Sequence, residues 1–62
     1  MNSKQIIAAL KKDGWTEIGI KGSHHQFKHP TKPGRVTVMH PKKDFAIGTL
    51  KSIERQSGLK FR

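Results

Sequence analysis

The chain has no cysteine. Disulfides and thiolate zinc sites are therefore excluded, and the composition fits a reducing cytosol. No apolar run approaches the ~18 residues that a membrane span needs, and no signal-peptide pattern follows Met1. A cytoplasmic protein with no membrane partner is the expectation. Carboxylates are scarce. Only Asp13, Glu17, Asp44 and Glu54 are present, spread over three predicted elements. A two-metal nuclease needs clustered carboxylates, so neither a metal site nor a cofactor is expected. Repeats and linkers are absent, and 62 residues make one domain, 1–62, the expectation. A domain this small buries only about 60% of the surface its unfolded chain exposes. Its core is thin, and any functional site should be shallow.

What is present in excess is positive charge. Thirteen Lys and Arg against four Asp and Glu give a net charge of +9. That balance points to a polyanion, nucleic acid first among them. The blander readings are a solvated basic surface or a patch for an acidic protein. A membrane surface fits poorly, because neither helical segment sets a strongly basic face against a broad apolar one.

Hydrophobic spacing predicts the order α-β-β-β-α. Asn2 to Asp13 reads as a helix with Ile6, Ile7 and Leu10 on one face, Asn2 or Ser3 as cap, and Gly14 as its stop. Trp15 to Lys21 alternates like a strand, Gly22-Ser23 is turn chemistry, and His24 to His29 is a second strand. Pro30 to Gly34 forms a hairpin loop and Arg35 to His40 a third strand. Asp44 to Ser57 is a helix, with Asp44 as N-cap, an apolar stripe of Ile47, Leu50 and Ile53, and Gly58 as stop. Gly48 sits inside it at a cost of about 1 kcal/mol relative to Ala. Short connections make the sheet a three-stranded antiparallel meander. Two helices with single apolar stripes then pack on one face of it, giving a two-layer α+β domain. The other sheet face has no cover.

Strand parity assigns residues to the two faces. Ile18, Ile20, Phe27, Val36 and Val38 are expected to face the helices, joined by His25 and His29. His24, Gln26 and Lys28 then face outward, with Glu17, Lys21, Arg35 and Thr37 beside them. A bulge at Gly22 or Ser23 would reverse His24. The outward set suits a reader of phosphates and bases. Trp15 is expected as a core plug rather than a base-stacking platform.

Metal-independent RNA cleavage turns the 2′-hydroxyl on its neighbouring phosphate. It needs a proton acceptor, a proton donor and cations around the phosphorane. Histidine can play either proton role near neutral pH. His24 is therefore the candidate, with Lys21, Lys28 and Arg35 to steady charge. Gly22 and Ser23 could hold a phosphate on backbone amides and a hydroxyl. The plain alternatives are an exposed surface histidine and an ordinary hairpin turn. DNA lacks the 2′-hydroxyl and would be spared. Adjacent His24 and His25 point to opposite faces, which works against a histidine-only zinc site. Lys42 and Lys43 precede the second helix, where a basic patch beside a helix N-terminus suits phosphate; a solvated charged loop is the alternative.

Several of these segments together resemble the HicA-type toxins, the small mRNA interferases of HicAB toxin–antitoxin systems. They are Asp13-Gly14-Trp15 at the end of the first helix, Gly22-Ser23-His24-His25-Gln26-Phe27, Val38-Met39-His40-Pro41, Gly48-Thr49-Leu50-Lys51-Ser52-Ile53 and Gly58-Leu59. The resemblance spans nearly the full length. It implies a double-stranded-RNA-binding-domain-like fold, mRNA cleavage with arrest of translation and growth, and neutralisation by a HicB-type antitoxin that covers the active face. It places the catalytic histidine after Gly-Ser, at His24. Relatives with Asn there and His next place it at His25, and this chain has histidine at both. Outward parity and the commoner pattern favour His24. Lys42 and Lys43 resemble lysines that double-stranded-RNA-binding domains carry at this helix start. The rival to a toxin is a non-catalytic RNA-binding module of the same fold.

Overall fold

The computed structural model describes residues 1–61. Helix α1 spans Ser3–Lys12. Asn2 accepts a hydrogen bond from the Gln5 amide, and the Gln5 side chain accepts one from the Asn2 amide, a closed capping box. Ile6 and Leu10 are fully buried, one turn apart on the inner stripe. Gly14 then turns the chain with φ +104°, and a Cβ there would sit 3.0 Å from His29 Nε2. Both facts keep this position glycine. Trp15 follows, buried in the core as expected.

Strands β1 (Thr16–Lys21), β2 (His24–Lys28) and β3 (Arg35–Met39) form an antiparallel sheet in the order β1-β2-β3. Gly22 closes the β1–β2 turn at φ +61°. Helix α2 spans Ile47–Ser57 and ends on Gly58 in the left-handed conformation. Both helices lie against β3. The core gathers Ile6, Leu10, Trp15, Phe27, Val36, Val38, Phe45, Leu50 and Ile53, with Leu59 packed against it. The molecule is a slab, 28 × 26 × 17 Å. All of its core lies on one side of the sheet.

Two expectations are corrected. Helix α2 begins at Ile47, and Asp44 does not cap it. The Asp44 carboxylate instead accepts from the Phe45 amide at 3.1 Å and lies 3.3 Å from the Met1 ammonium. Phe45 takes the core position at that end, and Ile47 stays 60% exposed. The buried face of α2 is Leu50, Ile53 and Ser57, at helical spacing. Nothing in the structure explains Gly48, whose missing Cβ would meet open space.

The second correction concerns β1. Its pairing with β2 shifts between Glu17 and Gly19, leaving Ile18 as the extra residue of a bulge. Glu17 pairs with Phe27, so it turns to the helix side rather than outward. Ile18 goes the other way, and lines a shallow outer hollow with Thr16 and Lys28. Past the bulge the expected parity returns, with Ile20 opposite His25 and Lys21 opposite His24. Ile20 is nonetheless 58% exposed, because the helices cover β3 and leave β1 as a distant edge.

Candidate nucleic-acid interface

The four histidines have four different surroundings. His29 is a structural tie. Its Nδ1 accepts from the Thr31 and Lys32 amides, both at 3.1 Å. Nε2 therefore carries the proton and donates to the Asp13 carbonyl at 2.8 Å. His40 follows β3 and ties three segments. Its amide donates to the Ser23 carbonyl at 2.8 Å. The Lys42 amide donates to Ser3 Oγ at 2.9 Å, and the same hydroxyl shares a hydrogen bond of 2.7 Å with His40 Nδ1. The His40 ring stands edge-on to His25, centroids 5.0 Å apart. His25 donates from Nδ1 to Glu17 Oε1 at 2.7 Å on the helix side of the sheet.

His24 differs from all three. It is exposed, and among the described residues it has no hydrogen-bond or ion-pair partner. The turn before it has no bulge, so Lys21, His24 and Met39 stand in one cross-strand row on the outer face. Gly19, Gln26 and Thr37 make the next row, and Thr16, Lys28 and Arg35 the third. The structure therefore brings together His24, Lys21, Gln26, Lys28 and Arg35. Gly22 and Ser23 lie exposed at the tip of the same hairpin.

Lys42 and Lys43 are elsewhere. They line a separate hollow of about 530 Å³ with Asn2, Ser3, Lys4, His40 and Pro41. Lys42 Nζ lies 5.6 Å from the centroid of the Phe45 ring, a cation–π distance.

Electrostatics separates the outer face from the rest. Lys32 holds Asp13 at 2.6 Å and keeps its carboxyl below the usual carboxylate range. Glu17 is turned inward to His25. Asp44 faces the N-terminus. Glu54 accepts from the Phe61 amide at 2.7 Å. Among the described residues no Asp or Glu side chain remains on the outer face, whereas Lys21, Lys28 and Arg35 stand there without an acidic partner. A surface so biased attracts a polyanion and orients it.

Chemically, an exposed imidazole beside a cation can move a proton at a phosphate whose negative charge the cation offsets. No group of three or more His, Asp or Glu side chains among the described residues is arranged to hold a metal ion. No helix is long and apolar enough to cross a membrane. Sequence reasoning missed Met39 as the apolar neighbour of His24, although it shares parity with Arg35 and Thr37. It also missed the Glu17–His25 pair, for which the signal was Gly19, since a lone glycine inside a strand often marks a bulge.

Comparison with known proteins agrees with this architecture. The family profile described as HicA toxin of bacterial toxin-antitoxin matches residues 3–59. A solved structure, the HicA3 and HicB3 toxin-antitoxin complex, contains a chain similar to this one at 27% identity, with a TM-score of 0.87 and coverage of 100% of both chains. The fold is the double-stranded-RNA-binding-domain-like one of that match. No curated protein sequence matches the chain.

Proposed function

The chain belongs to the HicA toxin family of bacterial toxin–antitoxin systems, and from that premise we propose that it is a metal-independent endoribonuclease. It cleaves mRNA in the cytoplasm, arrests translation and growth, and is neutralised by a HicB-type antitoxin. The observation that carries the reading is the unpartnered, exposed His24 beside Lys21 on a face without carboxylates. His24 acts as general acid or base. The 2′-oxygen attacks phosphorus, the bond to the 5′-oxygen breaks, and the leaving oxygen takes up a proton. The products are a 2′,3′-cyclic phosphate and a 5′-hydroxyl. Lys21 offsets charge on the phosphorane. Gly22 and Ser23 shape the turn that presents His24, and Gln26, Lys28 and Arg35 hold the strand. Lys42 and Lys43 add a second basic contact beyond the sheet. The partner assignment rests on the similar toxin solved with its HicB3 antitoxin.

One observation favours a second reading of the catalytic residue. Glu17 fixes the His25 ring at 2.7 Å with Nδ1 as donor, which leaves Nε2 as the basic nitrogen. A carboxylate-oriented imidazole is a serviceable general base. An RNA-cleavage assay in EDTA on wild type, His24→Ala and His25→Ala separates the two. Loss in the folded His24 variant alone is the expected result. Loss in the His25 variant alone moves catalysis to the Glu17 pair. Binding without cleavage by the wild type makes the protein an RNA-binding module.

A further inference from the structure

The middle row of the outer face carries no charge and no proton-transfer group, and only Gln26 of it has a part in holding the strand. It consists of Gly19, Gln26 and Thr37, directly opposite one another across the three strands. The Gln26 amide and the Thr37 hydroxyl have no hydrogen-bond partner among the described residues. Gly19 adds no side chain to the row, and a Cβ there would meet open space apart from its chain neighbours. Its φ is not positive, so the backbone does not require glycine at this position. On one side of the row stand Lys21, His24 and Met39; on the other, Thr16, Lys28 and Arg35.

This is an open polar row between two rows that carry Lys21 on one side and Lys28 and Arg35 on the other. From His24 to Lys28 is four residues of strand, about 13 Å at ~3.3 Å per residue. An extended dinucleotide can bridge that span. A duplex cannot lay an unstacked base on the polar row between, because its bases are stacked and paired. An amide presents one donor and one acceptor side by side, which matches the N6 amino group and N7 of adenine best.

We propose that the outer face is a track for unpaired RNA along β2, in which the nucleobase adjoining the scissile phosphate sits over Gly19 and is read by Gln26 and Thr37. Lys28 and Arg35 hold the phosphate one step farther on, and Met39 packs against the sugar or base on the other side of the cut. The inference rests on the endoribonuclease reading with His24 at the cut. It adds a specificity determinant for that cleavage, the middle row of the sheet.

The test maps cut sites on a pool of random-sequence single-stranded RNA and on a fully paired RNA. Wild type, Gln26→Ala, Thr37→Val and Gly19→Ala are compared, each checked by circular dichroism for folding. The readout is the base frequency at the nucleotides flanking the cut, normalised to total cleavage, so a change in overall rate does not enter. Wild type should cut the single strand and show a base preference, adenine first, at one flanking nucleotide. Gln26→Ala should lose roughly five- to a hundredfold of that preference, the usual worth of one bidentate base contact. Gly19→Ala should fold and lose cleavage at the preferred sites, because its new methyl group meets only RNA. Unchanged preference in Gln26→Ala and Thr37→Val overturns the inference while the nuclease reading stands. So does wild-type cleavage with no flanking preference, or equal cleavage of the paired RNA. Absence of any cleavage by folded wild type sinks the nuclease reading instead.

Discussion

His24 and His25 are adjacent in sequence and opposite in circumstance. One stands exposed between Lys21 and Met39 on the outer face. The other is pinned to Glu17 and packed edge-on against His40 beneath the sheet. Strand alternation alone separates them. The difference teaches that one central strand can carry two programmes in alternate positions. Phe27 and His25 build the fold, while His24, Gln26 and Lys28 remain free to meet a ligand.

That division can be broken at several strengths. Loss of His24 as alanine should lower RNA cleavage by about 10²- to 10⁴-fold, the usual worth of a proton-transfer group, and a folded variant that cleaves normally refutes the assignment. The inner counterpart is Phe27→Ala, which should cost about 3–5 kcal/mol of stability. In so small a domain that is most of the folding free energy, so thermal melts should show little folded protein at 37 °C. Lys28→Ala on the same strand should leave the melt within about 0.5 kcal/mol. Its effect should appear in RNA binding, with the slope of log affinity against log salt reduced by about one; an unchanged slope would take Lys28 off the phosphate path. Glu17→Gln should destabilise by about 1 kcal/mol, since its bond to His25 is short but partly exposed. It should not alter cleavage if His24 carries the chemistry; parallel loss of cleavage would transfer that role to His25.

The smallest effect concerns acid. Lys32 lowers the Asp13 carboxyl below its ordinary value of 3.8. The stabilisation from this ion pair is complete above that value and fades as pH falls through the lower, folded one. Asp13→Asn should therefore flatten the acid limb of a pH–stability curve below about pH 4. A curve of unchanged shape would show that the pair contributes nothing measurable.

Much of this was legible in the residues. The Asn2–Gln5 capping box, the stops at Gly14 and Gly58, and the turn at Gly22 follow from local chemistry that no distant contact overrides. His24 faces outward as expected because Lys21 and His24 pair directly across a turn without a bulge. What escaped depends on partners distant in sequence. Asp44 reads as a cap until the N-terminal ammonium, 43 residues away, claims it. Ile47 and Phe45 are both apolar, and only the packing angle of α2 decides which one is buried. Glu17 and Ile18 were assigned to the wrong faces because strict alternation cannot see one extra residue in β1. The inward turn of Glu17 to His25 removes from the outer face the one acidic side chain that alternation had put there.

The slab has a kinetic consequence. Because the core lies wholly behind the sheet, a partner can lie over His24 without prying apart any packed layer. Masking is then a rigid-body event, and the masked and free forms share one fold. On the proposed nuclease reading, activity then returns as fast as the cover departs, with no refolding step in between. The dormancy of such a molecule is timed by the dissociation rate of its cover rather than by its own stability.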